Sequence, residues 1–189
     1  MLDWIWQMDL GLFHFINSSL SNNYFDIFFP FITDLHKSIY FMITVYPLVL
    51  FAFLWKFKKK GLLIFLCFIL TLGTTDLVGN WVFKKQFQRA RPGDNTSIQV
   101  HVRSPYGGYS FVSNHAANMF AFALAMSFLF PVGRVLFYLL AVLIAFSRVY
   151  NGVHYPSDVI LGAILGLAMA SVYILILKKW IFYSKKVIE

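Results

Sequence analysis

Charged side chains are scarce in this sequence. Asp, Glu, Lys and Arg make up 13% of its 189 residues, whereas hydrophobic residues make up 59%. A water-soluble domain carries about 25% charged residues, so this chain has too few polar side chains to cover a soluble surface. The composition excludes an ordinary soluble domain and indicates a protein that crosses a membrane several times.

Cysteine and acidic residues are also few. The single cysteine, Cys67, excludes an intrachain disulfide. Eight acidic residues stand against sixteen basic ones, which gives a net charge of +8. The basic residues lie beside apolar segments, so anionic lipid headgroups and phosphorylated substrates are favoured as partners over nucleic acid. The first residues also lack the basic segment and the cleavage site of a removable signal peptide.

Long apolar runs occupy most of the chain and predict an all-α membrane protein. A membrane-spanning helix needs about 20 apolar residues. The sequence predicts a bundle of about five transmembrane helices at residues 39–55, 61–83, 112–130, 132–150 and 156–177. The polar stretch 84–111 is predicted to be a loop outside the membrane.

Residues 1–36 are apolar and aromatic, but polar side chains interrupt them. Segments 4–19 and 23–33 are shorter than a typical span and contain Asp9 and Asp26. This pattern predicts amphipathic helices that lie in the membrane interface. A sixth span is the alternative.

The basic residues divide between the two ends of the predicted bundle. One end holds nine: Lys56, Lys58, Lys59, Lys60, Arg134, Lys178, Lys179, Lys185 and Lys186. The other end holds seven: Lys37, Lys84, Lys85, Arg89, Arg91, Arg103 and Arg148. Basic residues favour the cytoplasmic side, and several of the seven have a chemical role to explain them. We therefore expect 84–111 and 150–156 to face the periplasm or cell exterior, in the bacterial inner membrane.

Three polar clusters lie where predicted spans end on that outward side. They read Lys84-x6-Arg91-Pro92, Ser113-Asn114-His115 and Ser147-Arg148-x5-His154-x3-Asp158. Charged groups near a membrane core are costly and usually functional. Arginine forks, a lysine and the N–H groups of a helix start are groups that bind phosphate. The clusters predict a single site for phosphoryl transfer.

His154 and Asp158 are spaced to act as a pair. Pro156 favours the first position of a helix, and Tyr155 before it should be extended. This places His154 in a loop and Asp158 one helical turn later, where the carboxylate can hold the imidazole ring. The other ring nitrogen then becomes a better base or nucleophile. His115 is available to protonate a leaving oxygen.

The three clusters resemble the signature of the type-2 phosphatidic acid phosphatase superfamily, in its membrane-integral lipid phosphatase branch. That signature reads Lys-x6-Arg-Pro, Pro-Ser-Gly-His and Ser-Arg-x5-His-x3-Asp, and the match covers residues 84–158 directly. The resemblance implies one membrane-embedded phosphatase domain over residues 1–189, with 84–111 as its active-site loop. It also implies that no metal or other cofactor is needed.

The resemblance further implies a role for each matching residue. His154 would attack phosphorus to give a phosphohistidine, with help from Asp158, and His115 would be the general acid. The phosphate-binding residues would be Lys84, Arg91, Ser113 and Arg148.

The second cluster departs from the family pattern, since Val112 and Asn114 stand where the signature has proline and glycine. Asparagine adopts positive φ more readily than most residues, so Asn114 is expected to keep the turn that glycine makes. Asn114 and Ser147 are candidates for supporting roles, and helix packing is the alternative for Ser147. Ser113 can either cap a helix or hold a phosphate oxygen.

Other polar and small residues have structural interpretations. Asp76 is expected to pair with a basic side chain or with the threonines beside it. Gly162 and Gly166 are expected to pack two spans together within the monomer. Three further cations either attract an anionic headgroup or form a solvated face: Lys85, Arg89 and Arg103.

The predicted function is the dephosphorylation of a lipid at the outer membrane surface. Undecaprenyl diphosphate is the favoured substrate, because recycling of that carrier produces it at the outer leaflet. Lipid A 1-phosphate is the runner-up, while phosphatidylglycerol phosphate, phosphatidic acid and transfer of the phosphate to another lipid stay open. An anion-binding transporter and a non-catalytic lipid-binding protein are the rivals from other classes. No obligate protein partner is expected.

Overall fold

The structure, a computed structural model, describes residues 2–179, except for the side chains of Leu2 and Lys37. Two of the nine cations assigned to one end, Lys185 and Lys186, therefore lie outside the described residues. All regular elements within 2–179 are helical. The helices are α1 (Leu2–His14), α2 (Asn23–Asp34), α3 (Ile39–Phe57), α4 (Gly61–Val78), α5 (Lys85–Phe87), α6 (Asn114–Leu129), α7 (Arg134–Tyr150) and α8 (Pro156–Leu177).

Short turns of other helical types connect or extend these helices. Two turns of π-helix extend α1 and α4: Phe15–Ser19 and Gly79–Lys84. Four 3-10 turns lie in connections: Leu35–Lys37, Lys58–Lys60, Pro92–Asp94 and Pro131–Gly133.

A helix lies in each of the five segments predicted to span the membrane. α3, α4 and α8 begin at the predicted residue, while α6 and α7 begin two residues later, at Asn114 and Arg134. Three described segments are long and apolar enough to cross a membrane: Ile39–Asp94, Pro131–Tyr150 and Pro156–Leu177. α6 has 16 residues, fewer than the roughly 20 of a typical span. An all-helical membrane protein is confirmed, and the number of five spans stays a prediction.

α1 and α2 occupy the segments for which interfacial helices were predicted. α2 begins after Asn22, whose side chain accepts the N–H groups of Tyr24 and Phe25. Phe29 of α2 packs on Tyr150 of α7, with ring centroids 4.7 Å apart. Phe13 of α1 packs on Tyr155, with ring centroids 5.6 Å apart. Both helices thus pack against the helical bundle, while their depth in the bilayer stays a prediction.

Small residues bring α6 and α8 into close contact. A Cβ added at Gly162 would lie 2.6 Å from the carbonyl oxygen of Ser113. A Cβ added at Gly166 would overlap the carbonyl oxygen of Ala117. The expected packing of these glycines within the monomer is confirmed, and it places the start of α6 beside the start of α8.

The basic turn Lys58–Lys60 and the candidate site lie at opposite ends of the bundle. Phe130, just after α6, contacts Phe57 at the end of α3, with ring centroids 5.9 Å apart. Nζ of Lys178 lies 5.4 Å from the ring of Phe128. The turn Lys58–Lys60 and the end of α8 therefore lie at one end of the bundle. The starts of α6 and α8, which carry the candidate site, lie at the other.

Candidate active site

Arg91 lies at the buried centre of the site, with 4% of its surface exposed. Its guanidinium donates to the carbonyl oxygens of Gly107 and Gly108, at 2.9 Å each, and of Val153 at 2.7 Å. These three carbonyls offset the cost of burying the charge. Nη1 of Arg91 also lies 3.2 Å from Nε2 of His154. The arginine is thus fixed beside one nitrogen of the imidazole.

Asp158 faces the other nitrogen of His154. Oδ2 of Asp158 lies 3.5 Å from Nδ1 of His154 and accepts the N–H of Tyr155 at 2.9 Å. Tyr155 is extended, with φ −77° and ψ 156°, and Pro156 opens α8, as the sequence predicted. The geometry favours the tautomer with a proton on Nδ1 and a lone pair on Nε2.

Burial keeps the imidazole of His154 neutral. The side chain is 2% exposed, and desolvation lowers the pKa of His154 to about 4. The carboxylate of Asp158 opposes this shift, whereas the positive charges of Arg91 and Arg148 add to it. A neutral imidazole has the lone pair that a nucleophile requires.

Ser113 connects the start of α6 to the start of α8. Its N–H donates to the carbonyl oxygen of Asp158 at 3.0 Å. Although Ser113 precedes α6, its side chain makes no capping hydrogen bond. Its buried Oγ has no hydrogen-bond partner among the described residues. Of the two roles expected for Ser113, holding a phosphate oxygen is the one that fits this geometry.

The expectation for Asn114 is wrong. Asn114 is the first residue of α6 and does not have a positive φ, because the helix already begins where the family's glycine would make a turn. Its Nδ2 donates to Oδ1 of Asp76 at 2.7 Å, and Asn80 and Asn118 donate to the same carboxylate. Asp76 is therefore held by three amides and not by the neighbouring threonines, whose hydroxyls donate to carbonyls of their own helix.

The other predicted phosphate-binding residues approach the same place. Lys84 ends the π turn that follows α4, within electrostatic range of Arg91, Arg148 and Asp158. Arg148 is 4% exposed, and its Nη1 donates to Oγ1 of Thr33 at 2.8 Å. Arg91 and Arg148 thus place positive charge near the buried imidazole, and Lys84 lies within electrostatic range of both arginines.

His115 lies on the more accessible side of the site. Its side chain is 25% exposed, and Nε2 lies 4.0 Å from Oδ1 of Asp34 at the end of α2. The ring of His36 meets the ring of His115 edge-on, with centroids 5.8 Å apart. The ring of His115 is thus partly exposed at the start of α6, although its Nε2 is buried.

Arg89 has a role that the sequence interpretation missed. Its Nη1 donates to Oδ1 of Asp158 at 2.6 Å and to Oγ of Ser157 at 2.7 Å. Its Nη2 donates to Oδ2 of Asp9 at 2.7 Å. Arg89 therefore belongs to neither a solvated face nor a headgroup patch. In the sequence, the one sign of this ion pair was Asp9, a carboxylate inside an apolar helix, but no pattern identified Arg89 as its partner.

Three other candidates are engaged elsewhere. Nζ of Lys85 lies 3.2 Å from the ring centroid of Trp81. Arg103 pairs with Asp26 at 2.7 Å. Oγ of Ser147 donates at 2.6 Å to a carbonyl of its own helix, which agrees with helix packing as its role.

The arrangement combines four chemical functions in one place. A neutral buried imidazole faces a fixed arginine, a carboxylate orients that imidazole, further cations lie within electrostatic range, and a second imidazole lies on the open side. Such a set can bind a phosphoryl group, form a bond to its phosphorus and supply a proton to the group that leaves.

Comparison with known proteins gives a family and several relatives. The profile of the PAP2 superfamily matches residues 61–182. The chain is 31% identical over 144 residues to the lipid A 4'-phosphatase of Porphyromonas gingivalis, covering 69% of this chain and 60% of that protein. It is 37% identical over 89 residues to the lipid A 1-phosphatase of Rhizobium etli, covering 45% of this chain and 38% of that protein. The chain thus aligns with less than two thirds of the length of either relative.

A solved structure supports the fold over almost the whole chain. The crystal structure of LpxE from Aquifex aeolicus superposes with a TM-score of 0.71 at 28% identity, covering 89% of this chain and 95% of that one. Because it covers 89% of the chain, the shared fold extends beyond residues 61–182 of the matched family profile.

Proposed function

This chain belongs to the PAP2 superfamily, and we propose that it removes phosphate from a membrane lipid through a phosphohistidine. The resemblance drawn from the three sequence clusters is confirmed at the level of the family. The position of His154 is the observation that carries the proposal. Its Nε2 lies 3.2 Å from Nη1 of Arg91, and its Nδ1 lies 3.5 Å from Oδ2 of Asp158. A phosphate bound by Arg91 is therefore presented to the lone pair of His154.

In the first step, Nε2 of His154 attacks phosphorus and the bond from phosphorus to the lipid oxygen breaks. Asp158 stabilises the positive charge that develops on the ring. The four phosphate-binding residues offset the negative charge on the non-bridging oxygens. His115 donates a proton to the oxygen that leaves with the lipid. When the substrate is a diphosphate, the leaving group is the lipid monophosphate.

In the second step, water attacks the phosphohistidine. His115, which is now neutral, accepts a proton from that water. The bond between phosphorus and Nε2 of His154 breaks, inorganic phosphate leaves, and the imidazole returns to its neutral form. Attack by a hydroxyl of another lipid would transfer the phosphate instead. Neither step requires a metal ion.

A phosphate of lipid A is the substrate class that the relatives support first. Two of them are named for phosphatase activity at the 1 and 4' positions of lipid A. Undecaprenyl diphosphate, which was favoured from the sequence, is the competing substrate. We place the site at the outward surface of the bacterial inner membrane, where either lipid can present its headgroup while its tails stay in the bilayer.

Phosphate release by the purified protein in detergent with EDTA tests the proposal. The panel holds lipid A, undecaprenyl diphosphate, phosphatidylglycerol phosphate and phosphatidic acid. We expect release from at least one lipid, its loss in His154→Ala, and its retention in His101→Ala, which removes an exposed histidine from the same outward loop.

The rates across the panel rank the substrates. Release that EDTA abolishes would reject the metal-independent step. Release that survives His154→Ala would reject the histidine nucleophile. A folded protein that releases phosphate from none of the four lipids would reject the proposed substrate classes.

A further inference from the structure

Asp9 brings a carboxylate from α1 to the candidate site. α1 lies outside residues 61–182, which match the family profile. Asp9 is 8% exposed. Its Oδ1 accepts the N–H of Ser157 at 2.8 Å, and its Oδ2 accepts the hydroxyl of Ser157 at 2.5 Å and Nη2 of Arg89 at 2.7 Å. A buried carboxylate is costly without such partners, so these contacts fix its position closely.

Arg89 connects Asp9 to the proposed nucleophile. One nitrogen of its guanidinium faces Asp9, and the other donates to Oδ1 of Asp158 at 2.6 Å. Oδ2 of Asp158 is thereby left to face Nδ1 of His154. Because the guanidinium is planar and rigid, fixing the nitrogen that faces Asp9 also fixes the nitrogen that donates to Asp158.

Aromatic rings enclose this connection. Cζ of Arg89 lies 4.1 Å from the ring centroid of Tyr155 and 5.3 Å from that of Trp6. The two rings meet edge-on, with centroids 5.2 Å apart. Cation–π contacts of this kind favour one placement of the guanidinium, and the rings reduce screening of its ion pairs by water. Trp6, like Asp9, belongs to α1.

We propose that Asp9 is a positioning residue for phosphoryl transfer, acting through Arg89. By holding the guanidinium against Asp158, Asp9 keeps the carboxylate directed at Nδ1 of His154 and so keeps Nε2 directed at phosphorus. The proposal rests on the proposed function, since it assigns α1 to the same site. It predicts that α1 takes part in the reaction, in addition to any part it has in stability.

Kinetics of single and double variants test this proposal. We expect Asp9→Ala to lower kcat by about 10- to 100-fold, as is typical when a group that orients a reactive side chain is removed. KM should change by less than about twofold, because the phosphate-binding residues are intact. If Asp9 acts through Arg89, the double variant Asp9→Ala/Arg89→Ala should be no slower than Arg89→Ala alone.

Asp26→Ala is the matched control. Asp26 also lies on an N-terminal helix and also pairs with an arginine, Arg103, at 2.7 Å, but that pair does not reach Asp158. Its kcat should stay within about twofold of the wild type. Asp9→Asn serves if Asp9→Ala does not fold, because an amide oxygen can still accept the N–H of Ser157 while the charge facing Arg89 is lost.

Binding of orthovanadate, which bonds to an attacking nitrogen and so mimics the transition state of phosphoryl transfer rather than the bound substrate, gives a readout that does not depend on lipid turnover. We expect wild-type protein to bind orthovanadate, His154→Ala to lose the binding, and Asp9→Ala to bind about tenfold more weakly. This pattern would support the positioning role even if no lipid on the panel were hydrolysed, and only the proposed substrates would then fail.

Two results would overturn the proposal. One is a folded Asp9→Ala protein with wild-type kcat and wild-type orthovanadate affinity, even if its thermal stability is lower, since Asp9 would then only anchor α1. The other is a double variant whose loss equals the product of the two single losses, since Asp9 would then act independently of Arg89.

Discussion

The two ring nitrogens of His154 have opposite surroundings, and this difference sets the chemistry of the residue. Nδ1 faces a carboxylate and Nε2 faces a guanidinium. A protonated Nε2 would meet the positive charge of Arg91, so the neutral tautomer with its lone pair on Nε2 is favoured. In the proposed mechanism the arginine thus has two effects, because it would both bind phosphate and keep the nucleophile unprotonated.

Stability should depend on pH through His154. Burial lowers the pKa of His154 from about 6.5 in the unfolded chain to about 4 in the folded protein, so the unfolded state binds the proton more readily. The stability that a neutral His154 contributes is complete above about pH 6.5 and is lost as the pH falls toward 4. We therefore expect Tm to fall between about pH 7 and 4.5 by more in the wild type than in His154→Gln. Equal falls in thermal unfolding scans would contradict this.

Arg91 should not be replaceable by lysine. An ammonium group cannot reach the carbonyls of Gly107, Gly108 and Val153 in the fixed directions of a guanidinium. We expect Arg91→Lys to lower kcat/KM for the best lipid substrate by about 100-fold or more, the usual effect of losing a preorganised donor. Lys85→Ala, which removes a cation that stacks on the ring of Trp81, should lie within about threefold of the wild type. Similar losses in both variants would count against the assigned role of Arg91.

At the scale of elements, local sequence patterns predicted the helix ends that lie beside the site. Pro156 and the extended residue before it predicted the start of α8. That start leaves His154 in the loop and places Asp158 in the first turn of the helix. Contacts between distant elements gave no such signal. Asp9 and Arg89 are 80 residues apart, and the sequence carries no periodic pattern that joins them. The contact of Asn114 was missed for the same reason, because its amide donates to Asp76 on another helix.

The close contact of α6 with α8 should be sensitive to a single methyl group. We expect Gly166→Ala to destabilise the protein by about 1–3 kcal/mol, because the new Cβ overlaps the backbone of α6. Gly73→Ala is the matched control, since a Cβ there meets nothing within 4 Å, and it should be neutral or slightly stabilising. Thermal unfolding in detergent compares the two. A Gly166→Ala protein as stable as Gly73→Ala would show that α6 and α8 can move apart freely.

At the scale of the whole molecule, composition predicted a membrane protein, the long apolar runs predicted that it is all-helical, and the ordered clusters predicted its family. The apolar runs specified where helices lie but not how many cross the bilayer, since α6 has only 16 residues. In addition, α3 and α4, which the turn Lys58–Lys60 separates, lie in a single candidate segment. The division of basic residues between two ends was visible in the sequence. The enclosure of Arg89 by α1 required the three-dimensional arrangement.

Orientation in the membrane can be tested with single cysteines. In a Cys67→Ala background, we expect Ser97→Cys in the outward loop to react with a membrane-impermeant maleimide in intact spheroplasts. Lys59→Cys, in the basic turn at the opposite end, should react only after the membrane is opened. The opposite pattern of labelling would place the candidate site in the cytoplasm and would exclude outer-leaflet lipids as substrates.

If Lys84, Arg91 and Arg148 bind phosphate as proposed, they should bind inorganic phosphate as well as a phosphate that is attached to a lipid. In the proposed reaction the dephosphorylated lipid diffuses away along the bilayer, whereas inorganic phosphate has to leave the same cations that bound the substrate. Turnover should therefore slow where phosphate is plentiful in the water beside the site. The cations that bind the lipid phosphate would thus make the rate of the reaction depend on the phosphate concentration outside the membrane.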